Sequence, residues 1–255
     1  MTKQLMIYEN AVPIRSDMHR NTYVRSGKSY AFARPLNSAP LLVAEFMVAA
    51  VEFPIVFIGE GENVTPAAIL GLRDGENLFV DAEGKWTAPY IPAFFRRYPF
   101  VFAQGEDQSL TLCIDESFEG VNTVGRGERL FDAEGNRTEY LGRMLGFASS
   151  YQQQFERTKA FCARLVRLDL LEPAQARFAV PGQPARSMSG FRAIRRERLR
   201  QIPENELSEM FANDDLELCF HHLVSLGNVA KLIQALSADD PVAGAEERPV
   251  EAAVD

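Results

Sequence analysis

Few residues in this chain could do covalent or acid–base chemistry. There are three cysteines, Cys113, Cys162 and Cys219, far apart in the chain, and three histidines, His19, His221 and His222. Three cysteines without close spacing make no zinc pattern. Adjacent residues on a helix diverge by about 100°, so His221 and His222 cannot easily share a metal ion. Cys162 and Cys219 fall on apolar helix faces and read as core thiols. Cys113 shortly precedes Asp115 and Glu116 at the end of a strand-like run. Cys113 could act as a nucleophile with a histidine base from the last helix; the plainer reading of a strand cysteine is packing. Asp81 and Asp132 could join Asp115 and Glu116 in an acidic cluster. The plainer reading is that turn aspartates bind their own backbone, and that neighbouring carboxylates on a strand face opposite sides. No Gly-x-Ser-x-Gly elbow, His-Glu-x-x-His helix or phosphate-binding glycine pattern occurs. No catalytic residue is assigned, and no metal or cofactor is expected.

Recognition chemistry is denser. Residues 86–98 hold Trp86, the single tryptophan, with Tyr90, Arg96, Arg97 and Tyr98. Aromatic rings supply a flat apolar floor, and arginine recognises carboxylate or phosphate bidentately. These five residues are the expected contact region for a ligand or partner. The alternative is that Phe94, Phe95 and Tyr98 plug a sheet while the arginines reach solvent or an acidic neighbour. A second basic run, five arginines between Arg192 and Arg200, reads as a solvated face or a dock for an acidic partner.

The elements that must position these groups follow from length and pattern. At 255 residues and 46% hydrophobic, the chain can bury a full core. A net charge of -8 argues against nucleic acid and against an anionic membrane surface. The longest apolar run, residues 39–51, is interrupted by Glu45 and is too short to span a bilayer. No signal-peptide pattern opens the sequence, and the odd cysteine count suits a reducing compartment, so a cytoplasmic location is expected.

A repeat organises the first half. Leu78-Phe79-Val80-Asp81-Ala82-Glu83-Gly84 is echoed by Leu130-Phe131-Asp132-Ala133-Glu134-Gly135, and Phe53-Pro54-Ile55-Val56-Phe57 by Tyr98-Pro99-Phe100-Val101-Phe102. The expected fold is α+β: an antiparallel sheet from two related helix–strand–hairpin units, followed by a helical C-terminal region. Residues 1–136 form the sheet region, 137–237 a helical region packed on it, and 238–255 a disordered tail. A buried helix is expected from Leu41 to Glu52. Hairpins are expected for residues 67–72 with 78–80, turning at Asp74-Gly75, and for 100–102 with 110–114, turning at residues 105–107. Thr138 should cap a long amphipathic helix ending near Leu171, and residues 173–190 read as loose. Pro203 opens a helix to Ala212. A last helix places Leu216, Cys219, Leu223, Leu226, Ala230 and Ile233 on one face.

The chain resembles the bacterial SapC family. The likeness is carried by residues 40–57, by Leu78-Phe79-Val80-Asp81 with Gly84 and Trp86, and by residues 90–102. Leu112-Cys113-Ile114-Asp115-Glu116, Leu171-Glu172-Pro173, Ser189-Gly190-Phe191 and His222-Leu223 with Ser225-Leu226 complete it. The resemblance implies no established activity. It points to an accessory role beside a flavin-halogenase-like enzyme or an outer-membrane receptor system. The function expected is a non-enzymatic accessory protein binding a small metabolite, peptide or partner enzyme. The alternatives are an enzyme using Cys113, Asp115 and His222, or an oligomerising structural subunit marked by an exposed apolar patch on residues 141–166 or 216–233.

Overall fold

The computed structural model describes residues 7–25, 27, 29–104, 110–178 and 186–239. They form an α+β fold with three antiparallel sheets. The central sheet has five strands in the order β10 (Leu171–Phe178), β11 (Arg186–Ile194), β4 (Ile55–Ile58), β5 (Thr65–Ile69) and β3 (Ser38–Pro40). A second sheet runs β1 (Ala11–Pro13), β7 (Leu110–Asp115), β6 (Phe100–Gln104). A small third sheet runs β8 (Val121–Asn122), β2 (Tyr23–Val24), β9 (Glu128–Arg129).

β4 is apolar without alternation because both of its faces are covered. Ile55 and Phe57 enter the main core, and Val56 enters a second cluster closed by Leu232 and Leu236 of α8 (Val229–Asp239). The main core is a packing of phenylalanines. Phe46 of α2 (Phe46–Glu52) meets Phe161 of α4 (Glu139–Arg167) edge-on at 6.0 Å, and Phe161 lies 6.3 Å from Phe57. α4 is capped by Thr138, whose Oγ1 accepts the Leu141 N–H at 3.3 Å. It contacts β5, β6 and β9, one strand from each sheet, and so joins all three.

The repeat is a repeated turn. Oδ1 of Asp81 accepts the N–H groups of Glu83 and Lys85 at 3.1 and 2.7 Å, and Oδ1 of Asp132 accepts those of Glu134 and Asn136 at 3.0 and 2.7 Å. Each turn needs its glycine at positive φ, +80° at Gly84 and +89° at Gly135. Each is also held by an upstream arginine: Arg34 donates to the carbonyls of Asp81 and Ala82, and Arg20 to that of Ala133. The hairpins β4–β5 and β6–β7 follow α2 and α3 (Ala93–Arg96), but they sit in different sheets.

Several local expectations are corrected. Residues 38–40 are a strand, followed by a 3-10 turn at Val43–Glu45, and α2 begins only at Phe46. The backbone there is held by the Glu45 carboxylate, which accepts the Leu42 N–H at 2.8 Å. β5 pairs with β4 and β3 rather than with residues 78–80, which keep one tie, Leu78 N–H to the Leu70 carbonyl at 2.9 Å. Residues 171–178 and 186–194, read as loose or arginine-rich, form β10 and β11 and extend the central sheet through Arg192 opposite Phe57. The last helix is broken into α7 (Asp215–Ser225), a 3-10 turn at Leu226–Asn228, and α8. Its buried line is Cys219, His222, Ser225, Asn228, Leu232 and Leu236, which places His222 in the interior. The turn expected at residues 105–107, residues 179–185 of the stretch read as loose and the tail beyond Asp239 lie outside the described residues.

Candidate functional site

Residues 86–98 fold around a buried carboxylate. Glu45 Oε1 accepts the Tyr90 hydroxyl and the Ala93 N–H, both at 2.7 Å, while Oε2 takes the Leu42 N–H. Burial pushes the Glu45 carboxyl above its ordinary value, and these three donors offset part of that cost. Trp86 is buried, its indole N–H donates to the Tyr90 carbonyl at 2.8 Å, and its ring stacks on Phe79 at 6.0 Å. Arg96 is exposed. It donates to the Ile91 carbonyl at 2.9 Å and lies over the rings of Tyr90 and Phe147.

Arg97 turns the other way. It is buried, with its guanidinium 4.3 Å from the Tyr151 ring centroid and 5.1 Å from that of Phe94. Tyr98 is half-buried, packs on Phe32 at 4.4 Å, and directs its hydroxyl to Asp115 Oδ2 at 3.4 Å. The five recognition residues therefore do not converge on one surface: Tyr90 is tied to Glu45 with Trp86 and Arg96 beside it, Arg97 turns to Tyr151, and Tyr98 turns to Asp115 while staying joined to Trp86 through Phe32 and Phe95. Beside Arg97 lies a space of about 10 Å³, room for one water molecule.

The candidate acid–base groups do not converge. Asp115, fully buried at the end of β7, accepts the N–H groups of Glu9, Asn10 and Ser117 and the Ser117 hydroxyl. Burial alone would raise its pKa, but those four donors outweigh it and hold the carboxyl below the usual range. Asp115 is thus a fastener for the segment before β1. Cys113 lies in the same strand, paired opposite Val101 and Pro13. His222 belongs to α7, where Nε2 accepts the Ile194 N–H at 3.0 Å and the ring packs on Phe57 at 5.1 Å. Burial lowers His222 to about 4 and raises the Cys162 and Cys219 thiols to about 12, with Cys113 also raised. None of these thiols is poised as a thiolate. Asp81 and Asp132 are engaged in their own turns, and among the described residues no metal-ligand cluster forms.

Sequence reasoning missed His19, which is buried, takes the Arg15 N–H on Nδ1, and faces Glu116 with Nε2 at 3.3 Å. It also missed Asp215, a buried carboxylate that pairs with Arg157 and with Arg164, the latter at 3.1 Å. Two of the five arginines of the basic run are ion-paired, Arg195 with Glu172 and Arg198 with Asp169.

The surface carries two further features. A groove of about 350 Å³ opens between residues 78–89 and α8, with Phe79, Pro89, Leu232, Glu52 and Lys231 in its lining. The other is a concentration of exposed apolar side chains on α2, α6 (Glu204–Ala212) and α7. Of the ten large hydrophobic side chains exposed among the described residues, seven lie there: Met47, Val48, Val51, Leu207, Phe211, Phe220 and Val224. α7 packs against both α2 and α6.

Among the described residues no helix is long and apolar enough to cross a membrane. No curated protein and no solved structure matches the chain. The family model SapC matches residues 14–232, which contain the five-stranded sheet, the small third sheet, β6 and β7 of the second sheet, the Glu45 hub and both repeated turns. The chain belongs to the SapC family.

Proposed function

We propose that this SapC-family chain is a non-enzymatic accessory protein that docks a partner protein through the α2, α6 and α7 face. One observation carries the reading: α6 is inverted. Surface helices usually bury an apolar stripe and expose a polar one. α6 buries only Met210 among its apolar side chains and is anchored by its charges, Glu206 to Arg167 at 2.5 Å and Glu209 to Arg164 at 3.7 Å. Leu207 and Phe211 are left outward, Phe211 at 75% exposure, as are Phe220 and Val224 of the neighbouring α7. Concentrated exposed apolar surface of this kind marks an interaction site.

The rim sets the partner's chemistry. Glu204, Asp214 and Glu217 are exposed on α6, before α7 and on α7, in a chain of net charge -8. A second copy would bring acid to acid, so the fitting partner has an apolar centre and a basic rim. The flavin-halogenase-like enzymes and outer-membrane receptor systems implied by the family resemblance are the candidate partners, and the cytoplasm is the proposed compartment.

The test uses the chain as bait in an extract of cells that make it. Wild type should retain one defined partner, and the variant Phe211→Ser, Phe220→Ser, Val224→Ser should lose it with an unchanged melting temperature. Equal retention by the folded variant would overturn the reading. A second reading keeps ligand contact in residues 86–98. It rests on Arg96, exposed between Tyr90 and Phe147, and Arg96→Ala is its clean test because Arg97 is buried.

A further inference from the structure

The groove between residues 78–89 and α8 has a floor and two charges. Leu78, Phe79, Pro89 and Leu232 make the apolar lining. At its α2 end stand Glu52, the last residue of α2, and Lys231 of α8. Lys231 gives one N–H to the Val51 carbonyl at 2.8 Å, which leaves two of its three donors free. Glu52 is half-buried and has no hydrogen-bond or ion-pair partner among the described residues. Glu52 and Lys231 line the same groove without pairing with each other. Each can instead meet the opposite charge of a bound molecule.

We propose that this groove binds apolar α-amino acids or short apolar peptides as zwitterions. Glu52 receives the ammonium, Lys231 the carboxylate, and the Phe79–Leu232 lining takes the side chain. The volume, about 350 Å³, lies within the range of small-molecule pockets, about 300–1,000 Å³. Charge and lining both select: a neutral analogue leaves Glu52 and Lys231 unpaired, and a polar side chain would be desolvated against Phe79. This site adjoins the docking face at Val51, but the proposal does not depend on partner docking.

Trp86 supplies the readout, because it is the single tryptophan and stacks on Phe79 at 6.0 Å. L-leucine, leucyl-leucine and N-acetyl-leucinamide are each titrated while Trp86 emission is followed. The expected result is a saturable change with leucine or leucyl-leucine and at least about tenfold weaker binding of the uncharged amide, a difference of about 1.4 kcal/mol. Saturation by leucine alone assigns free amino acids, and by the dipeptide alone assigns peptide. Glu52→Gln and Lys231→Met should each weaken binding about tenfold without moving the unfolding midpoint, and Ala235→Phe should fill the groove and abolish it. No saturable change at millimolar concentration, equal binding of the amide, or wild-type affinity in the folded charge variants would overturn the proposal.

Discussion

Residues 86–98 and the α2, α6, α7 face carry opposite chemistry and point in opposite directions. The segment richest in recognition groups folds inward: Trp86 and Arg97 are buried, and Tyr90 is tied to Glu45. The face richest in apolar side chains looks out, with Met47 at 63% and Val224 at 73% exposure. The difference teaches that residue type alone does not say which surface works. Aromatic rings with arginine can stabilise a core by stacking as readily as they bind a ligand. Exposed leucine, phenylalanine and valine gathered on adjoining helices have no such internal use.

That contrast makes separable predictions. The inward region should answer in stability and the outward face in association. Glu45→Ala strips the acceptor from the Leu42 and Ala93 N–H groups and the Tyr90 hydroxyl. Unsatisfied buried donors cost roughly 1–3 kcal/mol each, so urea unfolding should show a loss of about 3–5 kcal/mol. If the loss is below about 1 kcal/mol, the segment is not held through Glu45 and the inward half of the comparison breaks.

The buried side of α7 gives the next effect. His222 titrates near 6.5 when unfolded and at about 4 when folded. Between those values the unfolded chain binds the extra proton, so stability falls as pH drops from 6.5 to about 4 and changes no further below it. The loss from this group is about 3 kcal/mol. Glu45, with its raised carboxyl, has the opposite sign, gaining stability as pH falls. Comparing wild type with His222→Gln, which keeps an acceptor for Ile194, isolates the histidine. Parallel stability–pH curves for the two proteins would show that His222 is not sealed.

Smaller still, Arg97→Ala removes the guanidinium from the face of Tyr151 and should cost about 2 kcal/mol, measured as a shift in the urea midpoint. The smallest stability change belongs to the outward side. Phe220→Ser with Val224→Ser should stay within about 0.5 kcal/mol of wild type while abolishing partner capture. A large stability loss there would mean that these side chains pack against the chain itself.

Legibility in the sequence follows the range of the forces involved. Thr138 capping α4, Pro203 opening α6 and the two Asp-Ala-Glu-Gly turns were readable because each rests on local backbone chemistry. The pairing of β5 with β3 and β4 was not. Asp74-Gly75 is a strong local turn signal, but the long-range partners of residues 65–69 outcompeted the neighbouring run. β10 and β11 were hidden by proline and arginine, which an edge hairpin tolerates because one side faces solvent. For the site, the five residues expected to act together were readable as a segment, whereas the turning of Tyr90 to Glu45 and of Arg97 to Tyr151 depends on residues 45 and 54 positions away. The outward face was legible only as a question. Phe211 and Phe220 read as ordinary helix residues, and only the packing of α7 on α2 and α6 turns their exposure into a surface.

The most direct test places a photoreactive amino acid at Phe220 and, as a control, at Gln153 on the exposed side of α4, and irradiates cells producing each protein. Docking through α2, α6 and α7 predicts one discrete adduct with a different protein at position 220 and none at position 153. The absence of any adduct at position 220, equal labelling at both positions, or an adduct of twice the chain's own mass would contradict it.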